Sequence, residues 1–171
     1  IVLGLAVTIG MVARELNTAD YLVTLIGGFI SPVVLPAVLT FLCMGIAFAC
    51  GTSWGTYAVV FPVAMSLAWA MSPDPTYVSI CFGAVLGGAV FGDQCSPISD
   101  TTILSSVSSA SDHMDHVKTQ APYALLTMSV AMGCCYLPCA LFGLSPWVGI
   151  GIGAVVLAVV LLACGRRAES T

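Results

Sequence analysis

Charge is what this chain lacks. Of its 171 residues only 7% are Asp, Glu, Lys or Arg, with four basic and eight acidic side chains. Between Asp20 and Asp74 there is no ionisable Asp, Glu, Lys, Arg or His. Soluble domains carry about 25% charged residues, so a water-facing coat is excluded. The scarcity of Lys and Arg excludes a basic nucleic-acid patch, and neither a phosphate-binding glycine loop nor a nucleophile elbow is present. The sequence opens on Ile1, inside an apolar run, without an initiator Met, a basic leader or a cleavage pattern, so no signal peptide is expected. Such a start in mid-span leads us to expect a fragment, or the C-terminal part of a larger protein. The net charge of −4 says little about partners, because location matters more than the sum.

There are eight cysteines. Cys43, Cys50, Cys81, Cys134, Cys135, Cys139 and Cys164 lie in apolar runs, where cysteine packs as a small hydrophobe. Cys134, Cys135 and Cys139 lack the spacing and the nearby His or acid of a zinc site. Packing is therefore the expected role.

What is present is apolar length: 59% of the chain is hydrophobic. Tyr123 to Phe142 and Trp147 to Cys164 each approach the ~20 residues a helix needs to cross hydrocarbon. The chain reads as an all-α polytopic membrane protein. In order, we expect a truncated span over 1–13, an amphipathic interfacial connector over 14–31 and a helical hairpin over 32–70. A broken helix over 76–111, spans over 117–142 and 146–164, and a polar tail over 165–171 follow. Gly83, Gly87, Gly88 and Gly92 predict close helix packing in lipid. Within Asp112 to Lys118 and just before it, Asp115 or Ser111 is the expected N-cap.

The hairpin turns at Gly51-Thr52-Ser53-Trp54-Gly55-Thr56. Two ordinary spans joined by a turn, or a re-entrant hairpin, both suit this pattern; the uncharged tip favours re-entry, which requires burial in protein or a cavity. Lys118 and Arg166-Arg167 bracket a two-span hairpin, and the positive-inside rule places them, with the C-terminus, in the cytoplasm.

The chemistry concentrates at Gly92 to Thr102, directly after an apolar run. An ionisable side chain at membrane depth costs roughly 2.5–3.5 kcal/mol on insertion scales. Pro97 has no N–H and biases Ser96 away from the α region, so the helix breaks between Asp93 and Asp100. The break frees carbonyls, while Ser96, Ser99, Thr101 and Thr102 add hydroxyls, an all-oxygen set suited to hard cations such as Na⁺. A carboxylate buried without a cationic partner holds a proton or a cation in alternation, the simplest basis for exchange. The competing reading is that both aspartates cap helices at a surface. Thr52, Ser53 and Thr56 are further oxygen donors, against an ordinary turn with an interfacial Trp. His113 and His116 read first as a solvated loop, and second as a pH sensor.

Phe91-Gly92-Asp93-Gln94-Cys95-Ser96-Pro97-Ile98-Ser99-Asp100-Thr101-Thr102-Ile103-Leu104-Ser105-Ser106, followed by Asp112-His113-Met114-Asp115-His116-Val117, resembles the signature of the NhaC family of Na⁺/H⁺ antiporters. The Gly51 to Thr56 segment is similar to that family's glycine- and hydroxyl-rich segment, and the likeness runs from about Pro32 to Leu126. Gln94 departs from it, standing where His is more often expected. The resemblance implies the second inverted repeat of an ion transporter fold, with a re-entrant hairpin and an unwound transmembrane helix. It implies a plasma (inner) membrane antiporter exchanging Na⁺ for H⁺ by alternating access, serving pH homeostasis, and no enzyme. Carried over by that likeness, the ion site comprises Asp93, Asp100, Ser96, Ser99, Thr101, Thr52, Ser53 and Thr56, with Asp93 and Asp100 as Na⁺ ligands. No cofactor is expected, Na⁺ and H⁺ being cargo. Expected partners are those ions, the lipid bilayer, the N-terminal repeat of the same transporter and a second copy in a homodimer. Two alternatives stand beside this: an antiporter of the same family coupling an organic anion such as malate or lactate to ions, and a non-transporting scaffold or accessory subunit.

Overall fold

The computed structural model describes residues 31–164 continuously, with Thr8, Met11, Val12, Glu15, Leu16 and Tyr21 before them. The expectations for residues 1–13 and 165–171, and nearly all of the 14–31 connector, lie outside the described residues. Among the described residues every regular element is helical: α1 (Leu35–Cys50), α2 (Ser53–Met71), α3 (Pro75–Cys95), α4 (Asp100–Ser108), α5 (His113–Val130), a π-helical turn (Ala131–Tyr136), α6 (Leu137–Phe142) and α7 (Pro146–Cys164). Four stretches of the described residues are long and apolar enough to cross a membrane, namely Ser53–Met71, Pro75–Cys95, His113–Phe142 and Pro146–Ala163.

The helix ends follow from local chemistry. Gly51 takes φ +66° to end α1, and its N–H donates to the Ala47 carbonyl at 2.8 Å. This left-handed conformation is one that glycine adopts without steric cost. Thr52 is extended and begins α2, its hydroxyl oxygen accepting from the Gly55 N–H at 3.4 Å. Asp74 caps α3 through the Thr76 and Tyr77 N–H groups, both at 3.2 Å, and Pro75 occupies the first turn, where its missing donor costs nothing. At the far end Ser96 leaves the helical region at ψ 127° just before Pro97.

After α4 the chain closes a Schellman-type turn: the Ser111 N–H donates to the Ser106 carbonyl at 3.0 Å and the Ala110 N–H to the Val107 carbonyl at 3.1 Å. The turn places Ala110 at φ 51°. Neither Ser111 nor Asp115 then caps α5, in contrast to expectation. Asp112 does, because it is the extended residue, and its Oδ1 accepts from the Met114 and Asp115 N–H groups at 2.9 and 3.0 Å.

The core lies between α1, α2 and α3. Leu35, Leu39, Cys43 and Ala47 recur every fourth residue on α1, as do Tyr77, Cys81, Val85 and Ala89 on α3, and all are buried. Ridges of this spacing interdigitate. Where the two helices cross, a Cβ on Gly92 would lie 2.5 Å from the Met44 carbonyl oxygen, and one on Gly88 would strike the Thr40 backbone. The glycines therefore set the distance between helices, as small residues do in lipid. Hydroxyls tie the elements at carbonyls: Tyr77 to Pro32, just before α1, at 2.6 Å, Tyr57 to Leu86 at 3.3 Å and Tyr136 to Gly83 at 3.0 Å.

The π-helical turn precedes Pro138, whose ring would collide with the carbonyl four residues back in a regular helix. Widening the helix at that point relieves the collision. It also carries Tyr136 into the notch left by Gly83 and Gly87. Burial is graded across the bundle: half of the α3 span is buried inside the protein, against 11% of the α7 span. Phe41, Phe48, Trp69, Phe82, Phe142, Trp147 and Leu162 are exposed, an outer surface suited to lipid rather than water.

Candidate ion site

Two interruptions of helix meet beside α3. The first is the hairpin tip at Gly51, between α1 and α2. The second is the turn Ser96-Pro97-Ile98-Ser99, between α3 and α4, closed by the Ser99 N–H donating to the Ser96 carbonyl at 3.3 Å. Proline at the second position of such a turn is pre-set for it. A Cβ on Gly51 would come within 2.7 Å of the Ile98 carbonyl oxygen. The Ser96 hydroxyl, fully buried, donates to the Phe48 carbonyl at 2.8 Å. The breaks thus pack tip to turn.

Asp93 lies in the last turn of α3 with 7% of its surface exposed. Its Oδ2 accepts from the Ser53 hydroxyl at 3.1 Å, and its Oδ1 from the Ser99 hydroxyl at 2.5 Å. The Thr101 hydroxyl is 2.8 Å from Ser99 Oγ. Because Ser99 gives its proton to the carboxylate, Thr101 is the donor in that pair, making a chain Thr101 to Ser99 to Asp93. Thr102 donates to the Asp93 backbone carbonyl at 3.3 Å. Each hydroxyl has one proton and two lone pairs. Turned toward Asp93 it stabilises the anion, and turned away it presents an oxygen to a cation.

Lys118 is the one Lys or Arg within residues 31–164. It is exposed and pairs with Asp115 at 3.8 Å. Hydroxyls, and no ammonium or guanidinium group from residues 31–164, therefore surround the Asp93 carboxylate. No cluster of three or more His, Cys, Asp or Glu side chains occurs among the described residues, so a transition-metal centre finds no ligand set there.

The sequence-predicted residues divide. Asp93, Ser53, Ser99 and Thr101 come together, and Ser96 clasps α1 beside them. Thr52 spends its side chain on the helix cap, and the buried Thr56 hydroxyl donates to the Thr52 carbonyl at 2.9 Å. Asp100 is exposed in the first turn of α4, where its Oδ1 accepts from the Thr101 N–H at 2.8 Å; a negative charge is favourable at that helix end. His113 lies against the turn, with Nε2 2.6 Å from the Pro97 carbonyl.

Beside Asp93 opens a cleft of about 570 Å³, lined by Gln94, Thr101, Thr102, Ser105, His116 and Gln120 among others. Gln120 Oε1 is buried with no hydrogen-bond partner among the described residues. Sequence reasoning missed the α5 contribution. Its signal was available: His116, Thr119, Gln120 and Tyr123 recur at helical spacing, a polar stripe along one face of an otherwise apolar span.

Residues 1–144 match the Na⁺/H⁺ antiporter family. The chain belongs to that family, a group of membrane transporters. It is 40% identical, over 97% of its length, to 31% of an uncharacterized protein of Haemophilus influenzae. It is 33% identical over 60% of its length to 20% of the malate-2H⁺/Na⁺-lactate antiporter of Bacillus subtilis. It is 32% identical over 58% of its length to 22% of the Na⁺/H⁺ antiporter NhaC of Alkalihalophilus pseudofirmus. The chain thus spans about a third or less of the curated relatives it matches. No solved structure matches it.

Proposed function

We propose that this chain forms the second repeat of a secondary transporter exchanging Na⁺ for H⁺ across the plasma (inner) membrane, and that Asp93 is the carboxylate that holds either cation. The observation that carries this is the buried Asp93, gripped by a hydroxyl from each break and by no fixed cation among the described residues. Protonation neutralises the carboxylate, and Na⁺ does the same while recruiting the lone pairs of Ser53, Ser99 and Thr101. The two cargoes compete for one charge, which is the requirement for exchange. Asp100, exposed here, contributes toward the first repeat of the same transporter, whose inverted hairpin and broken helix complete the site. His113 and His116 stand beside the break and in the cleft, where a pH-sensing role would act.

Re-entry of the α1–α2 hairpin is supported by the length of α1 and the burial of the tip, although α2 alone is long enough to cross. With a rise of 1.5 Å per residue, α1 spans about 24 Å, short of the ~30 Å hydrocarbon core. Its tip residue Gly51 is buried under Ile98 instead of being exposed to water. A cytoplasmic C-terminus follows from Arg166 and Arg167, and a homodimer is the proposed assembly.

The likeness to the malate-2H⁺/Na⁺-lactate antiporter supports a second reading, coupling of an organic substrate to the ions. The test uses the full-length protein in everted membrane vesicles holding an imposed pH gradient. A Na⁺ pulse dissipates the gradient with the native protein and not with Asp93→Asn. Dissipation that also requires malate or lactate selects the second reading. No response to any of these, with normal insertion, leaves the scaffold.

A further inference from the structure

Pro97 leaves a backbone carbonyl outside any helix. The structure supplies its partner from 16 residues away: His113 Nε2 lies 2.6 Å from that oxygen. A carbonyl can only accept, so Nε2 carries the hydrogen whatever the charge on the ring. The other ring nitrogen, Nδ1, is 3.1 Å from the buried Ser106 hydroxyl on α4. One half-buried imidazole thereby joins the turn, α4 and the first residue of α5. Asp112 caps α5 immediately before His113 and fixes where the ring starts. A solvated loop histidine has neither the two partners nor the fixed origin.

We infer that His113 is a positioning residue for the ion site. It holds the Pro97–Ile98 turn at the carbonyl next to the one Gly51 packs on, and so keeps Ser99 in reach of Asp93. The turn is clamped by Gly51 at the Ile98 carbonyl and by His113 at the Pro97 carbonyl. Ser99 is the next residue. Loss of the brace would loosen Ser99 and weaken ion binding while leaving the carboxylate in place.

This inference rests on the exchange reading above for its transport readout, and a second readout is independent of transport. Full-length protein is prepared with Cys95, buried at the end of α3, as its single cysteine, and reaction with a membrane-permeant maleimide is timed. His113→Ala is expected to accelerate Cys95 labelling and to raise the apparent KM for Na⁺ by about tenfold, the effect of one lost hydrogen bond, with the maximal rate within about twofold. His113→Gln keeps an N–H donor and is expected to restore both. Unchanged labelling or an unchanged KM in His113→Ala overturns the proposal, as does a His113→Gln protein as impaired as the alanine variant. Should His113→Ala fail to insert, His113→Phe keeps a ring while removing both nitrogens, and native labelling there overturns it equally. If the native protein shows no Na⁺-driven proton movement, the exchange reading fails, and the labelling rates judge the brace by themselves.

Discussion

Gly51 meets Ile98 backbone to backbone: a single added methyl at Gly51 would approach the Ile98 carbonyl oxygen to 2.7 Å. The hairpin tip and the turn after α3 are therefore one construction, although 47 residues separate them in sequence. Ser53, two residues past the tip, reaches Asp93 because that contact holds.

The same contact predicts a sharp contrast between two glycine substitutions. Gly51→Ala meets both a left-handed φ of +66° and the Ile98 carbonyl, whereas a Cβ on Gly45 has nothing within 4 Å. Strain in the backbone alone costs about 1–3 kcal/mol, and the collision adds to it. Thermal unfolding in detergent should show Gly51→Ala melting well below the native protein and Gly45→Ala close to it.

Asp93 and Asp100 should not respond alike. Asp93→Asn removes the buried charge proposed to hold the cargo and is expected to abolish Na⁺-dependent proton movement in vesicles. Asp100→Asn alters an exposed carboxylate whose described bond is to its neighbour's N–H, and should leave partial exchange. Retained exchange in Asp93→Asn, at equal expression, would count against Asp93 as the centre.

Among the hairpin hydroxyls, Ser53 alone reaches the carboxylate. Ser53→Ala takes one oxygen from the proposed cation set and should weaken apparent Na⁺ affinity, an effect net of the hydrogen bond that the ion-free carboxylate also loses. Thr52→Ala should lower stability by about 1 kcal/mol as a lost helix cap, with Na⁺ affinity nearly native. Concentration dependence of Na⁺-driven gradient dissipation separates the two.

Ala110 offers a test in the opposite direction. It takes φ 51° at the end of α4, where glycine is usual. Ala110→Gly should raise stability by up to about 1 kcal/mol, since the left-handed cost for an L-residue is roughly 1–2 kcal/mol and glycine gives part of it back in entropy. An unchanged or lowered melting temperature would show that the turn carries no strain.

Much of this could be read from the sequence because backbone chemistry is local. Pro97 forbids a continuous helix wherever it is placed, and Gly51 with its hydroxyl-rich neighbours marks a turn without reference to anything else. Which hydroxyl serves Asp93 is a different kind of fact. Thr52, Ser53 and Thr56 are equivalent as donors; only the docking of the tip on the turn selects Ser53. The cap of α5 was lost for a related reason, since Ser111, Asp112 and Asp115 can all cap, and the turn at Ala110 decides among them. The stripe on α5 shows no charge beyond His116, so its polarity is faint until α4 folds beside it.

Where α3 crosses α1, Gly88 and Gly92 bring backbone against backbone. Shifting one helix along the other by a single residue would drive a Cβ into main chain, so the pair meshes in one register, like gear teeth. On the exchange reading, the hairpin and the broken helix would then move as one piece. A cation seated between Ser53 and Ser99 would be ferried by both, and its release must come from what they move against.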